Sequence, residues 1–270
     1  MIQLGEALSN GTDSAFDSEA WLDFTPPEEE SNSPLVRHTY NGLIRQLILI
    51  PRLVRLVRSL KVDSGNIDSG MEALQLAEEL YLISNNELID KTVRPIVKWM
   101  PTKCASLSRY FSESMEFPAI DVFDTAIRYS YSRILINGLC QSLREIFPFS
   151  PILEKAPLEE EELRQAEVLA MSVQHAQSLN DPMPLGSFLL GQALLFSYGA
   201  WRRLEGTNRV VDDGERHKAR FMKEWVRKRA NEMISDWDGQ EVDKERLETE
   251  TTALEGGPLM PWMRREIIPL

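Results

Sequence analysis

The sequence predicts an all-α protein, in which a single multi-helix domain follows a mostly irregular, acidic amino-terminal tail. From Leu35 onward, apolar residues recur at spacings of three and four with few β-branched runs, which is the pattern of amphipathic helices. No two strand-like runs joined by a tight turn stand out. Prolines, which lack an amide and fix φ, fall between the periodic segments. They are Pro101, Pro118, Pro148, Pro151 and Pro157.

The predicted helices follow one another with short connections. They span residues 35–61, 67–91, 103–115, 120–147, 158–180, 184–205 and 215–237. Glutamates at 159–162 occupy the first turn of the fifth helix, where the positive end of the helix dipole favours carboxylates. Pro51 lies inside the first helix and predicts either a kink or a break into two helices.

Composition divides the chain into three parts. Residues 1–33 form an acidic tail or linker, residues 34–265 the helical domain, and residues 266–270 a short carboxyl-terminal tail. A chain of 270 residues is within the size range of one hydrophobic core. Its 43% hydrophobic content is too high for wholesale disorder.

The tail contains the stretch SAFDSEAWLDF, in which Phe16, Trp21 and Phe24 alternate with acidic residues. This pattern is typical of disordered activation segments that fold upon contact with a partner. Alternatively, Trp21 and Phe24 pack onto the helical domain. Under either interpretation Phe16, Trp21 and Phe24 are candidate interaction residues.

The segment from Pro182 to Trp201 carries no charged side chain and is nearly the ~20 residues that a membrane-spanning helix requires. Ser187, Gln192 and Ser197 interrupt its apolar surface on several sides. We therefore expect a buried central helix and no membrane contact. The opening MIQLGEALSNG also lacks the basic start and apolar core of a signal peptide.

A basic amphipathic segment, LILIPRLVRLVRSLK at residues 47–61, stands out in a chain of net charge −12. Arginines share one arc of the predicted helix and leucines occupy the opposite arc. The candidate interaction residues on this arc are Arg45, Arg52, Arg55 and Arg58. We expect them to pair with acidic residues of the same chain, namely Glu72, Glu78, Glu79 and residues 159–162. A partner protein, DNA or an anionic membrane surface are the alternatives, although the overall negative charge repels phosphate.

Sequence signals for catalysis or cofactors are absent from the chain. It has three histidines, and none belongs to an H-E-x-x-H motif. No Walker loop, G-x-G-x-x-G or G-x-S-x-G motif occurs either. We therefore expect no catalytic residue, no cofactor and no metal site, and we interpret His175 as a core residue. Cys104 and Cys140 are expected to be free thiols in a reducing compartment.

An enzymatic alternative rests on two acidic clusters, DVFD at 121–124 and DDGE at 212–215. All-α terpene cyclases use such aspartates to bind magnesium and diphosphate. However, the Asn, Ser and Glu triad of those enzymes has no matching form here. Asp121 is more simply interpreted as the N-cap of the fourth helix, and residues 212–214 as the loop before the seventh.

A series of landmarks runs along the chain in a fixed order. These are LVRHTYNGLIRQLILIPRLVRLVRSL, ALQLAEELYLI, DTAIRYSYSRILINGLCQSL, AEVLAMSVQHAQS, PLGSFLLGQALLFSYGAWRRLE, FMKEWVRKRANEM and LEGGPLMPWM. Their order and spacing over residues 16–265 resemble the carboxyl-terminal regulatory region of fungal-specific transcription factors of the binuclear zinc cluster type.

The resemblance implies an all-helical regulatory domain of a nuclear transcription regulator, in a family associated with secondary metabolism. Its expected partners are proteins of the transcription machinery or a self-association partner, with an effector molecule left open. The family reads DNA through six closely spaced cysteines that bind zinc, whereas this chain has only Cys104 and Cys140. Contact with DNA would therefore require a module absent from this chain. Apart from the resemblance, a cytoplasmic location is the alternative.

Overall fold

The computed structural model of the chain describes residues 34–82, 86–150, 153, 157–206, 212–236 and 242–259. Within these ranges the protein is mostly helical, with a single two-stranded sheet, so the predicted fold class is confirmed. The predicted domain limits at residues 34 and 265 stay a prediction.

The elements follow in chain order. The helices are α1 (Pro34–Val62), α2 (Ile67–Leu82), α3 (Asn86–Thr92), α4 (Ile120–Ile146), α5 (Leu158–Met171), α6 (Val173–Ser178), α7 (Leu185–Gly206), α8 (Asp213–Ser235) and α9 (Lys244–Leu254). A 3-10 turn at Arg94–Ile96 follows α3, and the strands β1 (Lys98–Pro101) and β2 (Glu113–Glu116) precede α4.

Helix α4 forms the centre of the core. Every residue from 125 to 140 is buried, because α1, α2, α5 and α7 pack around the helix. Helix α7 contacts α4, α5, α6, α8 and α9, and its Tyr198 and Trp201 are fully buried. The prediction of a buried helix within residues 182–201 is therefore confirmed, except for the exposed side chains of Leu185 and Phe188 in its first turn and of Gln192. No helix in the described ranges is long and apolar enough to cross a membrane.

The helix predicted over residues 103–115 is wrong, because this segment forms a turn and then a strand. β1 and β2 pair antiparallel, with Trp99 opposite Met115. The intervening chain turns at Cys104, whose carbonyl accepts hydrogen bonds from the amides of Leu107 and Ser108. Leu107, Phe111 and Met115 are all buried, so a turn followed by a strand reproduces the four-residue spacing of a helix.

Other helix boundaries also differ from the prediction. Residues 158–180 divide at Ser172, which is the C-cap of α5 and the N-cap of α6 and whose hydroxyl donates to the carbonyl of Val168. Helix α1 continues through Pro51, so the predicted break into two helices does not occur. Asp121 lies in the first turn of α4 and does not cap it, since Ala119 occupies the N-cap position. Helix α9 was not predicted.

Candidate interaction surface

The basic arc of α1 is occupied largely by contacts within the chain. The Nε and Nη2 atoms of Arg52 donate to Glu72 Oε1 of α2 over 2.9 and 2.6 Å. Both side chains are 44% exposed, so the pair contributes at most about 1 kcal/mol. Glu72 was among the acidic partners that the sequence predicted.

The carboxyl-terminal end of α1 binds backbone carbonyls rather than carboxylates. Arg58 donates from Nε to the Gly257 carbonyl over 2.8 Å and from Nη2 to the Ala253 carbonyl over 2.9 Å. Lys61 Nζ donates to the Glu255 carbonyl over 2.8 Å. These carbonyls lie at the end of α9, where a helix dipole favours positive charge. We call Arg58, Lys61 and these three carbonyls the carboxyl-terminal clamp.

A glycine allows the clamp to close. Gly256 has φ of +79°, a conformation that costs side-chain-bearing residues energy. A Cβ atom at Gly256 would lie 2.5 Å from Val57 Cγ1, so the turn after α9 fits against α1 only without a side chain. The landmark LEGGP is thus in direct contact with the basic landmark of α1.

Glu255 joins the clamp to α7. Its carboxylate accepts two hydrogen bonds from Arg202 Nη2, over 2.9 and 2.8 Å, and forms an ion pair with Arg203. Arg203 also pairs with Glu162 of α5, and Gln141 of α4 donates to the same carboxylate over 2.8 Å. One connected set of ion pairs and hydrogen bonds therefore links α1, α4, α5, α7 and α9.

A second buried ion pair joins α4 to α5. Arg133, which is fully buried, donates to both carboxylate oxygens of Glu161 over 2.8 and 2.5 Å. Its Nη1 donates to the Tyr81 carbonyl over 3.1 Å, and its guanidinium lies 4.6 Å from the centre of the Tyr81 ring. The glutamates at 159–162 thus form ion pairs mainly with arginines of α4 and α7 rather than with the arginines of α1.

The remaining predicted interaction residues lie in different places. Arg45 is exposed on α1, whereas Arg55 is half-buried beside Arg58. Burial, and then the positive charge of Arg55, lower the pKa of Arg58. Phe16 and Trp21, like Phe24, lie outside the described residues.

The two acidic clusters on which the enzymatic alternative rests, at 121–124 and 212–215, bind groups of their own helices. Asp121 Oδ1 accepts the amide hydrogen of Val122, and Asp124 pairs with Arg128 over 2.9 Å. Asp212 is the N-cap of α8 and accepts from the amide of Glu215 over 2.7 Å.

The described residues contain no group of three or more His, Cys, Asp or Glu side chains placed to hold a metal ion. A cavity of about 10 Å³ lies beside Gly138, Phe196, Arg203 and Glu255, which is room for at most one water molecule.

His175 is buried, as predicted for a core residue. Its Nδ1 accepts from the Phe117 amide over 3.4 Å.

The sequence did not indicate that β1 would be exposed. All four residues of β1 are exposed, including Trp99 at 51% and Met100 at 41%. Ile96 precedes them at 42% exposure, and Lys98 and Lys103 add positive charge. We call Ile96, Lys98, Trp99, Met100 and Lys103 the β1 surface. It combines apolar area with positive charge, a composition suited to an acidic, apolar protein segment.

No protein-family model, no curated protein and no solved structure matches this chain. Its function is therefore inferred from its own residues.

Proposed function

We propose that the chain is the regulatory and protein-interaction region of a fungal transcription regulator of the binuclear zinc cluster type. It acts in the nucleus through protein partners, and DNA contact is made by a module outside this chain. The observation that carries the proposal is the resemblance of the ordered landmarks, together with the way they contact one another in the fold.

The first landmark and the last are joined by the hydrogen bond of Arg58 to the carbonyl of Gly257. The landmark that ends in GAWRRLE supplies Arg202 and Arg203, which bind Glu255 of the last landmark. Such mutual contacts are expected if the landmarks were selected together as one structural unit. They also leave the basic arc of α1 engaged within the chain, which favours a protein-binding role over DNA binding.

The proposal is tested by fusing the full chain to a foreign DNA-binding domain upstream of a reporter gene. We expect the fusion to change reporter output relative to the DNA-binding domain alone. Replacement of Phe16, Trp21 and Phe24 by alanine should reduce that change, while Ser9→Ala with Ser14→Ala serves as the matched control in the same tail. Unchanged output from the wild-type fusion would contradict the proposal.

The isolated chain should bind neither zinc in a stoichiometric ratio nor DNA with sequence preference, since it has two cysteines in total. Binding to duplex DNA of varied sequence is measured at about 150 mM salt, where nonspecific contacts are weak. Tight, sequence-dependent retention would contradict the assignment. A rise in melting temperature with magnesium and diphosphate would instead favour the enzymatic alternative.

A further inference from the structure

The two strands of the small sheet differ in how they are covered. β2 contacts α5 and α6, and its Ser114 and Met115 are buried. β1 pairs with β2 along one edge, and no strand in the described ranges pairs with its other edge. On this edge the Trp99 amide and the carbonyls of Trp99 and Pro101 point away from β2 and can bind an additional strand, whereas Pro101 has no amide to donate.

The two faces of β1 also differ in chemistry. Side chains alternate along a strand, so Trp99 lies on the same face as its partner Met115, which belongs to the hydrophobic core. Lys98 lies on the opposite face, across from Glu116. An added strand would fit best with apolar residues beside Trp99 and carboxylates beside Lys98.

Positive charge is concentrated along the segment that contains β1, and Glu113 and Glu116 of β2 are the acidic residues opposite it. Residues 91–103 contain four basic residues and no acidic one, in a chain with net charge −12. Arg94 is paired with Asp90 over 2.8 Å. No ion pair is formed by Lys98 or Lys103 with another described residue, so an acidic segment would gain Coulomb energy there.

The tail contains a segment with the required alternation. In FDSEAWLDF, residues 16–24, one side of an extended strand would carry Phe16, Ala20, Leu22 and Phe24, together with Ser18. The other side would carry Asp17, Glu19 and Asp23, together with Trp21. The prolines at 26 and 27 would end such a strand.

The start of α1, to which the tail is joined, lies on the same side of the domain as the β1–β2 sheet. The guanidinium of Arg128, in the third turn of α4, lies 5.2 Å from the centre of the Tyr40 ring in the second turn of α1. Only three residues separate the end of β2 from the start of α4. The nine residues between Phe24 and Pro34 reach about 30 Å when extended, which spans most of a small domain.

From these observations we propose that residues 16–24 dock on β1 as a third strand of the sheet. The apolar side of the segment covers Trp99, its carboxylates face Lys98, and Lys103 adds positive charge just beyond the end of β1. The docked tail occupies the β1 surface, so a partner that binds either element must displace this contact. This inference goes beyond the proposed function, and its failure would leave the reporter result unaffected.

Hydrogen–deuterium exchange of the full-length chain tests the docking. In the variant with Phe16→Ala, Leu22→Ala and Phe24→Ala, we expect the Trp99 amide, which points away from β2, to exchange about tenfold faster. Exchange in α4 and α7 should stay unchanged, which establishes that the domain is folded. Ser9→Ala with Ser14→Ala is the matched control and should leave β1 exchange at the wild-type rate.

A charge reversal provides an independent test. Lys98→Glu with Lys103→Glu should increase β1 exchange, and adding Asp17→Lys with Glu19→Lys should restore the slow rate. Equal β1 exchange in the wild type and the alanine variant would overturn the proposal. Slow exchange that disappears on dilution would also overturn it, because the edge would then be covered by the tail of a second copy.

Discussion

At the scale of single residues, the two cysteines differ because their surroundings differ. Cys140 is fully buried in α4, and burial raises the pKa of its thiol to about 12. Cys104 is partly exposed. Burial acts to raise its pKa, but hydrogen bonds from the Ser106 side chain and the backbone amides that follow outweigh it and lower the pKa. The thiolate is the reactive form, so exposure and pKa both favour Cys104.

We expect a disulfide reagent to modify one thiol quickly and the other only upon unfolding. At about pH 7.5, Cys104 should react at least about a hundredfold faster than Cys140. Mass spectrometry of the labelled peptides identifies the site. The Cys104→Ser variant is the control and should lose the fast phase, and a fast phase that remains would show that the assignment is wrong.

His175 predicts how stability depends on pH. Burial lowers the pKa of its imidazole below 6.5, and the charge of Glu116 opposes this in part. The unfolded chain therefore binds a proton that the folded chain excludes. The stabilising effect is complete above about pH 6.5 and declines as the pH falls from there towards the folded-state pKa.

Urea unfolding between about pH 5.5 and pH 7.5 measures this effect. The free energy of unfolding of the wild type should fall towards the acidic end. In His175→Gln, which keeps an acceptor for the Phe117 amide, the fall should be smaller over the same range. Parallel curves for the two proteins would rule out His175 as the source.

At the scale of elements, the contact between α6 and α7 depends on the absence of a side chain. A Cβ atom at Gly186 would lie 1.8 Å from the carbonyl oxygen of Ala176. This atom belongs to the backbone, so it cannot be relieved by a rotamer change. The first turn of α7 is also tied to the segment before it by Asn180, whose Oδ1 accepts from the Ser187 amide over 3.0 Å.

Gly186→Ala should therefore lower the free energy of unfolding by about 3 kcal/mol or more. Gly206, at the other end of α7, has no atom within 4 Å of the corresponding Cβ position. Gly206→Ala is the matched control and should change stability by no more than about 1 kcal/mol. Urea denaturation compares both with the wild type, and similar values for the two variants would contradict the packing argument.

At the scale of the whole molecule, buried ion pairs connect the helices. Arg133 and Glu161 bring α4 and α5 together, and Arg133 also binds the last turn of α2 through the Tyr81 carbonyl. Arg203, Glu162 and Glu255 extend the connection to α7 and α9. Removing one member of a buried pair leaves its partner's charge without compensation.

Arg133→Met should lower the free energy of unfolding by about 3–5 kcal/mol. Adding Glu161→Leu should recover much of the loss, because no buried charge then remains unpaired. Arg52→Met removes a half-exposed ion pair and is the control, with an expected change below about 1 kcal/mol. A loss in Arg133→Met no larger than that in Arg52→Met would show that the buried pair contributes little.

The sequence by itself determined the fold class and the helices α1, α4, α7 and α8. Their signals are local and consist of a three- and four-residue apolar periodicity. The pairing of Arg52 with Glu72 could also be predicted, because both lie on neighbouring amphipathic helices. These features need only the order of residues along a helix and the direction of their side chains.

Only the tertiary structure decided the rest. The β1–β2 pair could not be predicted because Leu107, Phe111 and Met115 have the four-residue apolar spacing of a helix. Helix α9 could not be predicted because it is largely polar and is stabilised by contacts from α7 and α1. The partners of Arg58 are backbone carbonyls, which every residue has, so no side-chain pattern could identify them. A periodic pattern predicts which residues of a helix are buried. What each buried or charged group contacts depends on segments that are distant in the sequence.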